Sequence, residues 1–532
     1  MHETTNVNQT PGSESSDNME SEKFFSPKGY PISYFWCFCL AYCFAWFLLP
    51  LFVQSNLRPD SIEQMFVGKE WVLSSTKHPS LTAWILEVSL ILTGRAEWAT
   101  YLVSQLAVFS ILWCLWTLGK EYLPHRLAFL AVLAECNYRY MNIGSTYFHN
   151  SISILPFWAF SILFFYRAVK EERNLFWGLA GLFLGLGLLC KYPMYFLVIT
   201  FTLFVAAVPH ARKQWKRFFL MAIVAFLVFA PHLVWLAKHD FTTLRYASYI
   251  TQARHFRDHL TAPLGFVAAQ GVLLIPVILP LVPLLGWRWK PVSNRWILFS
   301  TKRNTFNTDA WKNQFLLFVV LVPVLLQVVT ALTGGGRMRS GLGTHLWLFV
   351  PLLLLHGFQT TFAPKNLKKA FQYAVVIMFI TMICFVGHYQ IDAIIGRQPP
   401  DIAFPGRQLA NEVEKVWHAR YDQPIPYVAG EWKLGGNVAF YGKDRPSVHA
   451  FGGNSDFSSV RPITTWSSDH DLYAKGAVIL WEIREGQNPA PPDLEQRFPG
   501  AVVVQDLVEI PYQTRKNFPP LQVGLALITP PQ

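Results

Sequence analysis

Residues 31–53 read PISYFWCFCLAYCFAWFLLPLFV, an unbroken run without a charged side chain. A helix needs about 20 apolar residues to cross a ~30 Å hydrocarbon core, so this run alone predicts a transmembrane helix. The thirty residues before it are polar, rich in Ser, Asn and Glu, and lack an apolar stretch. They read as a disordered cytoplasmic tail (1–30) with no cleavable signal, leaving 31–53 as an uncleaved signal anchor.

The same reading applied along the chain gives further spans at roughly 98–118, 127–143, 150–167, 175–190, 193–209, 218–237, 262–286, 313–332, 344–362 and 371–391. The count is about eleven. Composition agrees: of 532 residues 52% are hydrophobic and only 15% charged, well below the quarter usual in soluble domains. The net charge of +12 does not point to nucleic acid, because its Lys and Arg residues fall in short loops between apolar runs. One set of loops holds Lys120 and Arg126, then Arg167, Lys170 and Arg173, then Arg212, Lys213, Lys216 and Arg217; later members hold Arg288 to Lys312, and Lys365, Lys368 and Lys369. The positive-inside rule makes these loops cytoplasmic. The N-terminus is then cytoplasmic, and an odd number of spans puts everything after residue 391 outside. The seven cysteines lie in or beside apolar runs and none falls in the C-terminal region, which predicts neither a metal site nor a disulfide framework.

The opposite loops, 54–97, 238–261 and 333–345, differ in kind. They carry Asp60, Glu63, Lys77, His78, Arg245, Arg254, Arg337, Arg339 and His345. Ionisable groups this close to a bilayer are costly unless they face water or a ligand, so any chemistry is expected at the outer face. From about 400 the composition becomes that of a soluble domain. A helical pattern at 407–420 precedes short apolar runs at 425–429, 477–483, 501–508 and 521–528, the signature of a small α/β domain resting on the membrane (396–532).

Within these loops several short motifs stand out. In Arg58-Pro59-Asp60-Ser61-Ile62-Glu63 a helix starting after the proline sets Asp60 and Glu63 on one face, where Asp60 is either a cap or a base. Lys77-His78-Pro79-Ser80-Leu81 is either an interfacial anchor or a contact for a lipid phosphate. His149-Asn150 opens the fourth span. Lys191-Tyr192-Pro193 lies in a nearly loopless turn between two apolar segments, where the lysine either snorkels or holds an anion.

Taken in order, these pieces resemble bacterial members of glycosyltransferase family 39, of the GT-C superfamily, the group with the lipid A aminoarabinose transferase and the protein O-mannosyltransferases. Asp60-Ser61-Ile62-Glu63 is similar to the family's acidic motif, His78-Pro79-Ser80-Leu81 to its His-Pro-Pro-Leu, and Lys191-Tyr192 to a Lys-Tyr after a Gly-rich span, here Gly181, Gly185 and Gly187. Pro231-His232-Leu233-Val234-Trp235 and Glu431-Trp432 through Tyr441 are similar to one bacterial branch. Ser61, Ser80 and His149-Asn150 depart from the usual residues, and the Arg-rich motif after the ninth span is reduced to Arg337-Met338-Arg339.

The resemblance implies a polytopic α-helical membrane protein of the bacterial inner membrane with a catalytic transmembrane domain (31–395) and a periplasmic C-terminal domain. It implies an inverting sugar transfer from a polyprenyl-phosphate donor to a lipid A, lipopolysaccharide or other glycan acceptor, with no nucleic-acid partner. Asp60 is the expected base, supported by Glu63. His78, His149, Asn150, Lys191, Tyr192, Arg245, Arg254, Arg337 and Arg339 are expected around the donor phosphate and sugar. No cofactor is required by the residues; a divalent metal, the sugar and the acceptor are left open. The alternatives are a transporter or flippase of lipid-linked sugars and a transferase acting on protein.

Overall fold

A computed structural model of the protein describes residues 32–250, 255, 257–284, 309–334, 340–357, 364–396, 398–451, 464–483, 491, 493–514 and 516–531. Its helices are α1 (Ile32–Val53), α2 (Pro59–Lys69), α3 (Leu81–Leu92), α4 (Trp98–Gly119), α5 (His125–Glu135), α6 (Asn150–Glu171), α7 (Asn174–Leu188) and α8 (Tyr195–Ala207). They continue with α9 (Trp215–Lys238), α10 (Thr242–Ile250), α11 (Asp258–Ile278), α12 (Ala310–Gly334), α13 (Val350–Gly357) and α14 (Pro364–Ile395). Among the described residues, seven helices are long and apolar enough to cross a membrane: α1, α4, α6, α9, α11, α12 and α14. Rows of large apolar side chains lie exposed on them, such as Phe226 and Leu227 on α9, Val272 and Ile275 on α11, and Phe379 and Ile383 on α14. Apolar surface of that extent is what a bilayer covers. The chain is a multi-pass membrane protein.

Among the described residues each of the eleven apolar segments carries a helix, but four of those helices, α5, α7, α8 and α13, are described over fewer residues than a span needs. The predicted span at 127–143 is the clearest case. Helix α5 stops at Glu135 and gives way to two 3-10 turns, Arg139–Met141 and Ile143–Ser145. Irregular backbone among apolar helices survives only where its polar groups find partners inside the protein, and here they do. The Tyr42 hydroxyl lies 2.8 Å from the Cys136 carbonyl and 3.1 Å from that of Met141. Gln105 Nε2 and Ser104 Oγ donate to the Ser145 carbonyl at 2.9 and 2.7 Å. Helices α7 and α8 are cut short by the turn at Lys191–Met194, where Pro193 sits in a 3-10 turn.

The glycines of α7 serve packing. A Cβ on Gly181 would fall 2.3 Å from the Met221 carbonyl oxygen of α9, so α9 lies against bare backbone. Gly181→Val is expected to force the two helices apart, at the ~1–3 kcal/mol typical of overpacking. A fall of several degrees in the apparent melting temperature of the detergent-solubilised protein checks this; an unchanged value contradicts the close approach.

After α14 come α15 (Gly406–His418), β1 (Tyr427–Glu431), α16 (Trp432–Tyr441), β2 (Ser447–Phe451), α17 (Asp469–Lys475), β3 (Ala477–Glu482), β4 (Val502–Ile510) and β5 (Leu521–Ile528). The sheet order is β2-β1-β3-β5-β4, with β1 parallel to β2 and β3, and β5 antiparallel to β3 and β4. Alternation along β3 sends Val478 and Leu480 to one core and Ala477, Ile479 and Trp481 to the other. Four of the strands match the apolar runs of the sequence; β2 and α16 were not anticipated.

This small domain is fastened to the segment between α1 and α4. Ser55 Oγ donates to the Ile402 carbonyl (2.9 Å), Asn56 Nδ2 to Asn437 Oδ1 (3.2 Å), Ser447 Oγ to Glu70 (2.9 Å) and Thr465 Oγ1 to the Ser74 carbonyl (2.9 Å). A Cβ on Gly436 would meet Ile62 at 2.7 Å, so α16 also packs tightly on α2.

Candidate active site

Helix α2 begins where Pro59, whose fixed φ suits a first helical position, follows an extended Arg58. Asp60 thus lies in the first turn, where free backbone N–H groups and the helix dipole favour a carboxylate. It is exposed and makes no hydrogen bond or ion pair among the described residues. Ser61, which stands where the resembled motif is acidic, fixes α2 in place: its Oγ donates to the Phe148 carbonyl at 2.9 Å and lies 3.3 Å from Thr100 Oγ1. That bond sets Asp60 beside the start of α6.

Two further segments converge there. The Leu81 N–H donates to the Leu189 carbonyl (3.1 Å), and the Thr82 and Ser153 hydroxyls bond at 2.6 Å. These contacts tie the start of α3, with His78 just before it, to the end of α7 and the start of α6. Lys191 follows α7 in extended conformation, and its Nζ donates to Ser151 Oγ at 2.9 Å. His149 caps α6, its Nδ1 accepting from the Ser151 N–H at 3.4 Å. Three stretches far apart in sequence therefore bring Asp60 and His78, His149, and Lys191 together at the end of the bundle that carries the sheet domain.

The charges interact accordingly. Burial pushes the Lys191 ammonium down to about 8, against an opposing pull from Asp60. Burial, with the Lys191 and Lys77 charges adding to it, pushes His78 down to about 3. His149 also falls below its ordinary value through burial, Asp60 opposing and Lys191 and Arg58 reinforcing the shift. At neutral pH the site holds one exposed carboxylate, a mostly charged lysine and neutral imidazoles. Glu63 is committed elsewhere: it pairs with Lys77 at 2.9 Å, and the Lys77 ammonium in turn lies 5.1 Å from the Trp432 ring of α16.

Other expected residues are placed differently. Asn150 is buried at the start of α6, with its Oδ1 lacking a hydrogen-bond partner. The Tyr192 hydroxyl bonds to His232 Nε2 (2.9 Å) and to Thr243, so it ties the turn to α9 and α10. Arg245 is exposed on α10, one residue before Tyr246, whose hydroxyl is felt by Lys77. Arg254, Arg337 and Arg339 lie outside the described residues. Among the described residues no three His, Cys, Asp or Glu side chains form a group able to hold a metal ion; Lys191 and Lys77 both feel the Asp60 carboxylate.

The structure adds residues that sequence reading left out of the site. Arg58 donates to the Tyr389 hydroxyl of α14 and lies over the Tyr147 ring at 5.1 Å; Tyr147 stacks on His149 at 4.5 Å. His345 packs on Trp158 at 4.4 Å and is felt electrically by Lys191. Arg58 stands immediately before the acidic motif, which was a signal; Tyr389, more than three hundred residues away, offered none.

Comparison with known proteins gives this geometry a class. The family described as dolichyl-phosphate-mannose-protein mannosyltransferase matches residues 77–235, a window holding His78, His149, Lys191 and Tyr192. The lipid A galacturonosyltransferase RgtD of Rhizobium johnstonii is 24% identical over 231 residues, 43% of this chain and 48% of that protein. The lipopolysaccharide core galacturonosyltransferase RgtB of the same organism is 24% identical over 427 residues, 71% of this chain and 74% of that protein. The match to RgtD spans about half of its length. The crystal structure of ArnT from Cupriavidus metallidurans bound to undecaprenyl phosphate superposes with a TM-score of 0.57 at 11% identity, covering 93% of this chain and 97% of that one. The fold is that of this ArnT structure. The resemblance to glycosyltransferases read from the motifs is borne out by the family match and the named relatives.

Proposed function

We propose that the chain is an inverting glycosyltransferase that moves a sugar from a polyprenyl-phosphate donor to lipid A or another lipopolysaccharide acceptor at the outer face of the bacterial inner membrane. The observation that carries this reading is the juxtaposition of Asp60 and Lys191 at one end of the bundle, each within electrical reach of the other. The relatives, named as lipid A and lipopolysaccharide core galacturonosyltransferases, support an acceptor of that kind and a uronic acid as the sugar. The loop charges support a cytoplasmic N-terminus and a periplasmic sheet domain.

The roles follow from charge. Breaking the bond between sugar C1 and phosphate leaves an anionic phosphate, which needs positive charge and no proton. Lys191 supplies it. On the other side of C1 the acceptor hydroxyl must be oriented and give up its proton; Asp60, exposed and unpaired among the described residues, accepts it. One displacement inverts C1. His78 and His149, neutral, offer hydrogen bonds without competing for the phosphate. Lys77 and Glu63 neutralise each other and brace α2 against Trp432. Arg245, exposed on α10, adds to the positive field on the donor side.

A flippase has less behind it. The matching relatives are named as transferases, and the ionisable groups gather at one end of the bundle, whereas alternating access uses a site near its middle.

The pH dependence tests the assignment. Because burial holds Lys191 at about 8, its ammonium is present below that pH and lost above it. The kcat/KM for donor, which reports the free enzyme, is expected to be flat from pH 6.5 to 7.5. It then falls about tenfold per pH unit above 8. A profile flat to pH 9.5 removes Lys191 as the phosphate's partner.

A further inference from the structure

The site holds more positive charge than one leaving phosphate uses. His149 feels the charges of both Arg58 and Lys191. Lys191 reaches the site through Ser151, whereas Arg58 lies over Tyr147 at 5.1 Å and over Tyr389 at 5.6 Å. Arg58 forms no ion pair among the described residues, and its Nε, buried, has no hydrogen-bond partner. The carboxylate that acts on it electrically, Asp401, is bonded to Lys433 at 2.9 Å. Rings beneath a guanidinium offset part of its desolvation, but they do not neutralise a charge that cannot be given up. A half-buried arginine held on two tyrosines beside the exposed Asp60 is a charge awaiting a counterion. Its planar fork suits a carboxylate or phosphate, which it grips through two parallel bonds.

From this geometry we infer that Arg58, framed by Tyr147 and Tyr389, forms a second anion subsite that reads an oxyanion other than the leaving phosphate. Two sources share that chemistry: the carboxylate of a uronic acid donor and a phosphate on the acceptor lipid. The inference rests on the transferase reading, since it supposes a substrate with two anionic groups around one reacting carbon.

The test uses the full chain in detergent and two matched pairs of substrates. One pair is undecaprenyl-phosphate galacturonate against undecaprenyl-phosphate galactose; the other is a phosphorylated lipid A acceptor against the same lipid dephosphorylated. Arg58→Gln is expected to lower kcat/KM at least tenfold more on the member of one pair that carries the extra oxyanion than on its counterpart lacking it. Arg58→Lys is expected to keep part of that preference. Selectivity lost in the donor pair assigns the sugar carboxylate, and in the acceptor pair the lipid phosphate. Equal loss on all four substrates, or none, overturns the inference. Tyr389→Phe, which removes the tether and keeps the charge, controls for mere fastening of α2 to α14. A binding arm needs no turnover: thermal shifts with galacturonate 1-phosphate against galactose 1-phosphate, and with the two acceptor lipids. Where wild-type protein transfers nothing, the transferase reading fails, and this arm still decides Arg58. A preference for either anionic probe that disappears in Arg58→Gln supports the subsite, and its absence in wild type overturns it.

Discussion

Asp60→Asn should abolish transfer while leaving the protein folded. The substitution keeps the shape of the side chain and removes its basicity, and a positioned general base contributes on the order of 10²–10⁴ in rate. Asp60 is exposed and bonds to nothing among the described residues, so its replacement belongs with surface changes of within about 0.5 kcal/mol in stability. A second effect follows from the electrostatics. Asp60 is what holds Lys191 up against burial, so removing its charge lowers the lysine below about 8. Assays near pH 6.5 therefore isolate the loss of the base, and there undecaprenyl phosphate binding should persist. Retained turnover in this variant removes Asp60 from the chemistry.

The second large effect is expected at Lys191. Lys191→Met preserves length and apolar contact and deletes the charge. Asp60, its electrical partner, is exposed, so deleting the lysine charge leaves no buried carboxylate uncompensated, and the melting temperature should hold. The loss should appear in the donor instead. Removing one preorganised electrostatic partner of developing negative charge costs about 3–4 kcal/mol, or roughly 10²–10³ in rate, and undecaprenyl phosphate affinity should fall with it. Unchanged affinity leaves Lys191 as a lysine that merely reaches for water.

These expectations rest on parts of the chain that differ in how openly the sequence displayed them. The run at 31–53 announces a span because nothing in it competes with that reading. The strands β1, β3, β4 and β5 were legible for a similar reason, being short apolar runs between turn residues. By contrast, 127–143 is mostly apolar, yet α5 ends at Glu135, and Tyr42 and Gln105, from other helices, satisfy the backbone that the break exposes. Local composition carries no trace of such distant partners. The same holds for the site. Asp60, His78 and Lys191 were readable as polar groups in the wrong surroundings, and their convergence depends on bonds such as Ser61 to Phe148 and Leu81 to Leu189. Ser61 itself read as a departure from a motif and proved to be the residue that seats it. Glu63 read as support for the base; it pairs with Lys77, whose ammonium lies over the Trp432 ring of the sheet domain, a contact no local pattern displayed.

The most direct test is transfer by the purified full chain in detergent, with labelled undecaprenyl-phosphate galacturonate as donor and lipid A as acceptor. The product's anomeric configuration is read by nuclear magnetic resonance. A glycolipid with inverted C1, formed by wild type and absent with Asp60→Asn, is the predicted result. Product with retained configuration, or equal yields from the two proteins, would contradict the single displacement at Asp60.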